Sequence, residues 1–329
     1  MRCLITGSSG YLGSALVTKL LEIPEIDKIY GFDACFFGQN VVDDSGKYTL
    51  INERVDDISL SWGEWLEDLE PDVVISLAAL SNDPACELNP SLTKIINHFS
   101  VVAMAYECYK KKIPLIFASS ASVYGAVNYA CSEWSPTFPI SLYASEKLET
   151  ERDLWAMADD SWQPRIFRMA TLYGPSARFR LDLAINKMVF DALTIEKITV
   201  HGGEQYRPFL YIDNAVWFYV TEIRMLIEQT EGPFRKMGSI RNLCDFNSTI
   251  GSLAKIIGDY FDAEVVVESQ NLDSRNYRML PAFEDMVWDA DERAKYFCEK
   301  LDKIKDCVNK IENSNDTRYY TVRRIREVL

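Results

Sequence analysis

The chain has 329 residues, 48% of them hydrophobic, and a formal net charge of −14 from 35 Lys and Arg against 49 Asp and Glu. That length accommodates one large domain and a smaller one with an ample core, and the acidic balance argues against nucleic acid or an anionic membrane as the main partner. Two histidines, His98 and His201, nearly exclude a His-rich metal site, so no metal is expected, and a Ser-His-Asp or Cys-His site would have to use one of them.

Along the first half, short apolar runs alternate with longer amphipathic ones. Arg2–Thr6, Lys28–Phe32, residues 48–55, Val73–Leu77, Leu115–Ala118 and Arg165–Met169 read as strands, and Leu12–Leu21, Trp62–Leu69, Pro90–Lys112 and Tyr143–Met157 as helices. Strands alternating with helices imply parallel crossover units and an α/β, doubly wound sheet. The strand runs are nearly all apolar, as expected when both sheet faces are covered. After about residue 175 the rhythm loosens. Helices are expected at Leu181–Leu193, Ala215–Glu228, Ser252–Phe261 and Asp291–Ile311, short strands at Ile198–His201 and Phe209–Tyr211, and a break at Gly232-Pro233. The division expected is a Rossmann-type α/β domain over 1–175 and a smaller lobe over 176–329 whose segments cross back to the sheet. The arginine-bearing end, Thr317–Leu329, reads as a solvated or lobe-packing tail.

The eight cysteines, at 3, 35, 86, 108, 131, 244, 298 and 307, include no C-x-x-C pair and read as free thiols of a cytosolic protein. The apolar run after Met1 is too short for a signal-peptide core. The charge-free stretch Ile113–Ser132 is too rich in Ser, Asn, Gly and Pro to cross a bilayer. The expectation is a soluble, cytoplasmic protein with no membrane partner.

Between the first strand and the first helix runs Thr6-Gly7-Ser8-Ser9-Gly10-Tyr11-Leu12-Gly13. Glycines at that spacing let the backbone turn tightly and approach a pyrophosphate, while the helix N-terminus offers free N–H groups and a positive dipole end. Asp33 closes the second strand, 20 residues after Gly13, where a carboxylate accepts both ribose hydroxyls of an adenosine and repels a 2′-phosphate. No Arg follows it directly, so NAD is favoured over NADP. Asp57 and Ile58 are expected at the adenine edge, and Tyr11, Leu12, Leu77, Ala78, Ala79 and Asn97 complete the expected cofactor set.

Ser119-Ser120-Ala121-Ser122 follows a central strand at its carboxyl end, where open α/β sheets bind ligands. Tyr143 and Lys147 stand four apart, on one helix face. An ammonium beside a phenol favours the phenolate and makes Tyr143 a usable base near neutral pH. Ser120 would hold the substrate oxygen.

This set, with the glycine loop and Asp33, resembles the extended short-chain dehydrogenase/reductases, the NAD-dependent epimerase/dehydratase group, over residues 1 to about 280. Arg168-Met169-Ala170-Thr171-Leu172-Tyr173-Gly174-Pro175 resembles that group's R-x-x-N-x-Y-G-P segment and departs from it at Thr171, where Asn is usual. Ser176–Asn186 resembles a pattern, S-P-R-M-R-x-D-L-x-x-N, of sugar-nucleotide 4-dehydrogenases and epimerases, a subgroup that includes a GDP-heptose 4-dehydrogenase. Ser81-Asn82-Asp83-Pro84 and Asp273-x-Arg275-Asn276-Tyr277-Arg278 are similar to that subgroup too.

The resemblance implies NAD as cofactor and a nucleotide-activated sugar as substrate, met by Ser81, Ser122, Thr171, Arg178, Arg180, Asn186, Arg207 and Arg275. It implies hydride removal, most often at C4, with Tyr143 as base, Lys147 on the nicotinamide ribose and Ser120 on the reacting oxygen. Where dehydratases of the family carry Asp-Glu this chain has Ala121-Ser122, and the Cys/His pair of GDP-fucose synthases is absent, so dehydration and carbanion epimerisation are disfavoured. Simple 4-epimerisation, 4-oxidation and 4-ketoreduction stay open. The resemblance also implies a homodimer built on the helices 90–112 and 143–157. The alternative from another class is a nucleotide-sensing or scaffold protein on the same fold, a kind that often lacks the Tyr or Lys present here.

Overall fold

The computed structural model describes residues 1–228, 240–268, 275–280 and 290–328, with side chains omitted for 290–294. Seven parallel strands form the central sheet. In chain order β1 is Arg2–Thr6, β2 Lys28–Phe32, β3 Tyr48–Ile51, β4 Val73–Ser76 and β5 Leu115–Ser120. Then follow β6 (Ala126–Cys131), β7 (Arg165–Met169), β8 (Thr171–Tyr173), β9 (Lys197–His201), β10 (Tyr206–Tyr211) and β11 (Ile240–Leu243). The last are β12 (Phe246–Thr249), β13 (Glu264–Glu268) and β14 (Asn276–Met279). The sheet order is β3-β2-β1-β4-β5-β7-β11. The order reverses at β1, so β1 and β4 diverge and open a crevice at their carboxyl ends.

Helices cover both faces: α1 (Tyr11–Leu21), α2 (Trp62–Leu69), the short α3 (Asp83–Cys86), α4 (Pro90–Lys94), α5 (Ser100–Lys111) and α6 (Leu142–Met157) in the first half. In the second half come α7 (Ala184–Ile195), α8 (Ile212–Glu228), α9 (Ile250–Phe261), α10 (Ala290–Val308) and α11 (Thr321–Val328). Two apolar cores flank the sheet. One packs Leu16, Val17 and Leu20 of α1 with Ile212, Ala215 and Tyr219 of α8, and the other packs Trp62 and Leu66 of α2 with Met104 and Cys108 of α5. Strand residues such as Leu4, Ile5, Val74, Ile75, Ile116 and Phe117 are fully buried between them, at about 1.5–3 kcal/mol for each large apolar side chain.

Several expectations meet a difference. The strand expected over 48–55 stops at Ile51, and that over 73–77 stops at Ser76. The helix expected over 181–193 starts only at Ala184, after Asp182 and Leu183 turn the chain. The helix 90–112 is continuous but carries a π-turn at Ile95–Phe99 between α4 and α5. The sequence pattern did not announce β11, because Arg241 and Asn242 look like loop residues. They sit in the sheet because partners are built for them: Asn242 accepts from the Tyr124 hydroxyl at 2.7 Å and donates to the Cys131 carbonyl at 3.0 Å. Thus a segment of the second half completes the sheet edge beside β7. Helix α6 is fixed against the sheet by Glu151, buried with Arg168 at 2.6 Å and accepting from the Ser119 hydroxyl. The expected Gly232-Pro233 break lies outside the described residues. No described helix is long and apolar enough to cross a membrane.

Candidate active site

A cleft of about 530 Å³ opens at the carboxyl ends of β1, β4 and β5. Its floor on one side is the glycine loop. Gly7 has φ +73°, and a Cβ there would lie 2.7 Å from the Ala78 nitrogen; a Cβ on Gly13 would run into the Gly7 carbonyl. Neither position admits another residue without moving the backbone. The loop therefore seats the start of α1 at the cleft, with the unpaired N–H groups of its first turn available to an anion. Asp33 lines the cleft beside it, its carboxylate accepting from the Ser9 amide at 2.9 Å and the Cys35 amide at 2.8 Å. Burial raises the Asp33 carboxyl above its usual range, while those two amides and Arg178 oppose the rise. Leu77, Ala78 and Ala79 form the adjoining wall with Gly7, Gly10, Tyr11, Leu12 and Gly13. The Tyr11 hydroxyl also donates to the Gly174 carbonyl at 2.6 Å, tying α1 to the strand opposite.

Four expected contacts lie elsewhere. Asp57 and Ile58 do not line the cleft: Ile58 is buried in the α2–α5 core and Asp57 is exposed beside Arg54 at 3.4 Å. Asp56 and Arg54 take that wall instead, paired at 2.6 Å. Asn97 is fully buried away from the cleft. Its amide accepts from the Leu80 nitrogen at 2.8 Å and donates to the Leu80 oxygen at 3.0 Å, so it holds the loop after β4. Asn97 sits in the middle of the π-turn. Asn186 is likewise an internal strut, bonded to the Gly174 nitrogen, the Tyr11 hydroxyl and the Arg180 carbonyl at 3.0, 3.2 and 3.0 Å.

On the opposite floor, Ser120 ends β5 and Tyr143 and Lys147 come from the first turns of α6, capped by the Ser141 hydroxyl on the Ala144 amide at 3.3 Å. All three line the cleft. The Ser120 oxygen accepts from the Ser122 hydroxyl at 2.9 Å. The Lys147 ammonium is buried, donates to the Ala118 carbonyl at 2.7 Å and lies 5.9 Å from the Tyr143 ring centre. Burial pulls its pKa down to about 8, against the pull of Cys86 and Glu151. The lowered phenol expected beside this ammonium is not what the cleft itself sets. Burial pushes Tyr143 well above its ordinary value, Cys86 and Asp83 add to the rise, and the Ser120 hydroxyl and Arg180 oppose it.

The mouth is lined by Ser81, Ser122, Thr171, Arg178, Arg180, Arg207 and Arg275. Arg180 makes two bonds of 2.9 Å to Asp182 and one of 3.4 Å to the Ser81 hydroxyl. Arg275 pairs with Asp83, and its carbonyl accepts from Arg207, so β14 and β10 are laced across to α3. Asp273 lies outside the described residues.

Sequence reasoning missed Phe36, Phe37, Asp182, Thr321 and Ile325, all of which line the cleft. The C-terminal residues, expected as a solvated or lobe-packing tail, are a correction: α11 packs against the loop after β4 and α3 of the first half and forms part of the cleft wall. Ile325 is buried with Leu80, Ala85, Cys86 and Ile96. The signal was present as Val322, Ile325 and Val328, an apolar face at a spacing of three.

A doubly wound sheet with a tight glycine loop opening the first helix, a carboxylate at the end of the second strand and a Ser, Tyr and Lys group across the cleft is the arrangement of a dinucleotide-dependent oxidoreductase. The model of the NAD dependent epimerase/dehydratase family matches residues 3–231, and the chain belongs to that family, within the extended short-chain dehydrogenase/reductases. Its cofactor is NAD. The chain is 28% identical over 231 residues to an uncharacterized UDP-glucose epimerase, YtcB, of Bacillus subtilis, covering 66% of this chain and 70% of that one. It is 26% identical over 235 residues to the UDP-glucose 4-epimerase of Mycolicibacterium smegmatis, covering 67% and 72%. Among solved structures, MoeE5 in complex with UDP-glucuronic acid and NAD superposes with a TM-score of 0.73 at 21% identity, over 94% of this chain and 100% of that one. The UDP-N-acetylglucosamine 4-epimerase of Methanobrevibacter ruminantium superposes with a TM-score of 0.77 at 23% identity, over 94% and 99%.

Proposed function

We propose that this enzyme withdraws hydride from C4 of a nucleotide-activated sugar, as a 4-epimerase or a 4-dehydrogenase/ketoreductase, with Tyr143 as the base. The observation that carries this reading is the convergence of Ser120, Tyr143 and Lys147 across the cleft from the glycine loop. The residues present fit NAD: a Cβ would fill the cradle at Gly7, and the Asp33 carboxylate is held at the cleft beside it by the Ser9 amide. Gly7, Gly10, Gly13 and Asp33 would hold its adenosine half, and Lys147 its nicotinamide ribose. Bound NAD supplies the hydride acceptor. Tyr143 Oη receives the proton of the sugar hydroxyl while Ser120 Oγ holds the same oxygen. Lys147 and Arg180 supply the positive charge that favours the phenolate as that proton moves. Arg207 and Arg275, at the mouth, suit the oxygens of the nucleotide diphosphate.

Ala121 and Ser122 support the reading that disfavours dehydration. Ala121 has no ionisable group, and Ser122 is committed to Ser120 at 2.9 Å. Two further elements belong to the same reading. Ile95, Phe99, Tyr106 and Trp155, all exposed on α4–α6 and the π-turn between them, supply an apolar face for a homodimer. The described cysteines are free thiols, which suits the cytoplasm.

The test is incubation with a panel of nucleotide sugars, with product mass and NADH absorbance followed together. A new isomer of unchanged mass identifies an epimerase, and loss of two hydrogens a dehydrogenase. Tyr143→Phe is expected to abolish turnover and keep NAD binding; full turnover in that variant would refute the base.

A further inference from the structure

Arg178 is the cleft residue whose surroundings least match the substrate role expected of it. It is 6% exposed, yet its Nε has no hydrogen-bond partner among the described residues. A guanidinium carries five N–H donors. Here Nη2 donates to the Thr321 hydroxyl at 3.2 Å, and the plane lies over the Phe37 ring at 3.5 Å from its centre. No carboxylate of the described residues forms an ion pair with it: Asp182, the acid nearest in sequence, is taken by Arg180. A buried cation without a hydrogen-bonded anion is costly. Burial and the neighbouring Arg180 accordingly pull Arg178 down to about 9.

The neighbours say which anion would relieve this. Phe37 follows Asp33 in the loop after β2, and Asp33 lies within electrostatic reach of Arg178 but not of Arg180. Both belong to the cofactor side. Arg180, two residues on, faces the other way, onto Ser81 and within reach of Tyr143. The two arginines thus divide between the two ligands. A 2′-phosphate is disfavoured as the anion because the Asp33 carboxylate stands there, fixed by two amides.

We propose that Arg178 is a cofactor residue, which stacks on Phe37, is steadied by Thr321 and donates its free N–H groups to the diphosphate of NAD. The dinucleotide is then gripped from both sides: by the first turn of α1 beneath and by a guanidinium carried on the segment before α7 above. Through Thr321, α11 takes part in that grip. The proposal rests on the cofactor side of the functional reading and is independent of the chemistry at C4.

The experiment uses the full chain freed of nucleotide, with binding measured by calorimetry for wild type, Arg178→Gln and Arg178→Lys. Probes are NAD, ADP-ribose and AMP, followed by UDP and GDP on NAD-saturated protein. Loss of a charged hydrogen bond to the diphosphate is expected to weaken NAD and ADP-ribose by about 10- to 100-fold in the Gln variant. AMP, which lacks the diphosphate, is expected to bind as in wild type, and so are UDP and GDP. The Lys variant, which keeps the charge and loses the fork, falls between. It carries the test alone, in the same direction, if thermal melting shows the Gln variant unfolded. Unchanged NAD affinity overturns the proposal, as does a loss confined to UDP or GDP, which would return Arg178 to the substrate. A wild-type protein that takes up no NAD overturns the cofactor reading itself, a failure distinct from either.

Discussion

Asp182 and Arg180 meet in a two-bonded ion pair, Oδ1 to Nε and Oδ2 to Nη2, both at 2.9 Å, almost entirely out of solvent. The same carboxylate accepts from the Thr321 amide at 3.2 Å and from Asn82 at 3.3 Å, so one side chain joins the cleft mouth, α11 and the loop before α3. The guanidiniums of Arg180 and Arg178 hold the Asp182 carboxyl well below the usual carboxylate range despite its burial. Removing the acid leaves two neighbouring buried cations without the carboxylate that offsets both. Asp182→Ala is therefore expected to cost about 3–5 kcal/mol. Removing both partners, as Arg180→Met with Asp182→Leu, is expected to cost clearly less than the single change. Urea unfolding of the three proteins decides it; a single variant within 1 kcal/mol of wild type, on the scale of an exposed pair, would show that the pair is not the anchor described.

Lys147 gives a pH dependence. Its folded pKa is about 8 against 10.5 for the free side chain. Between those values the unfolded chain holds a proton that the folded chain does not, so stability rises with pH in that window. Below pH 8 both states are protonated and the whole penalty of the buried charge is present, about 3 kcal/mol. Lys147→Met is then expected to be inactive, with a stability relative to wild type that is greatest below pH 8. That relative stability declines by about 3 kcal/mol between pH 8 and 10.5. Denaturant unfolding at pH 7 and pH 10 measures the difference; parallel behaviour of the two proteins would show that the ammonium is not desolvated.

Asn97 tests the role of the π-turn. Its side chain makes both bonds to the Leu80 peptide, and its own carbonyl accepts from Thr150 of α6 at 3.0 Å. Asn97→Ala leaves the buried Leu80 N–H unpaired, at about 1–3 kcal/mol, and leaves the Leu80 carbonyl with only the weak Cys86 thiol donor at 3.1 Å. The expected signature is local: faster hydrogen exchange at Leu80, and weaker NAD binding as the wall Leu77–Leu80 loosens. Unchanged exchange at Leu80 would make Asn97 a bystander.

How far the sequence could be read follows from the range of the interactions involved. The glycine loop, Asp33, and Tyr143 with Lys147 are local patterns in which spacing alone sets geometry, and each stands at the cleft. Asp57 was misplaced by one residue because a turn, not a strand, presents that segment, and Asp56 faces inward. Asn97 and Asn186 look like ligand contacts in a linear motif but are buried struts, a distinction that depends on partners 17 and 12 residues away. Strand β11 was invisible because the Asn242 side chain is satisfied by Tyr124 and Cys131 and its backbone amide by the Glu133 carboxylate, all more than 100 residues earlier. The same holds for Arg178, whose substrate-like motif position gives no hint of Phe37 or Thr321.

Helix α11 is the longest-range case and makes the sharpest stability prediction. Ile325 is 1% exposed against Leu80, Ala85, Cys86 and Ile96. Four polar ties dock the same segment: Tyr319 O accepts from Leu181 at 3.0 Å, the Thr321 hydroxyl accepts from Arg178, the Thr321 amide donates to Asp182 at 3.2 Å, and Arg324 donates to the Phe36 carbonyl. An eight-residue helix has little stability of its own in water, so its place depends on that contact set. Ile325→Asp sets an unpaired charge in an apolar pocket, which the short helix escapes by undocking rather than by unfolding the sheet. The expected outcome is a near-normal main melting transition, rapid proteolytic cleavage near residues 312–320, and faster NAD dissociation measured by stopped-flow displacement. NAD off-rates equal to wild type in a variant whose C-terminus is cleaved would show that α11 covers the cleft without holding the cofactor.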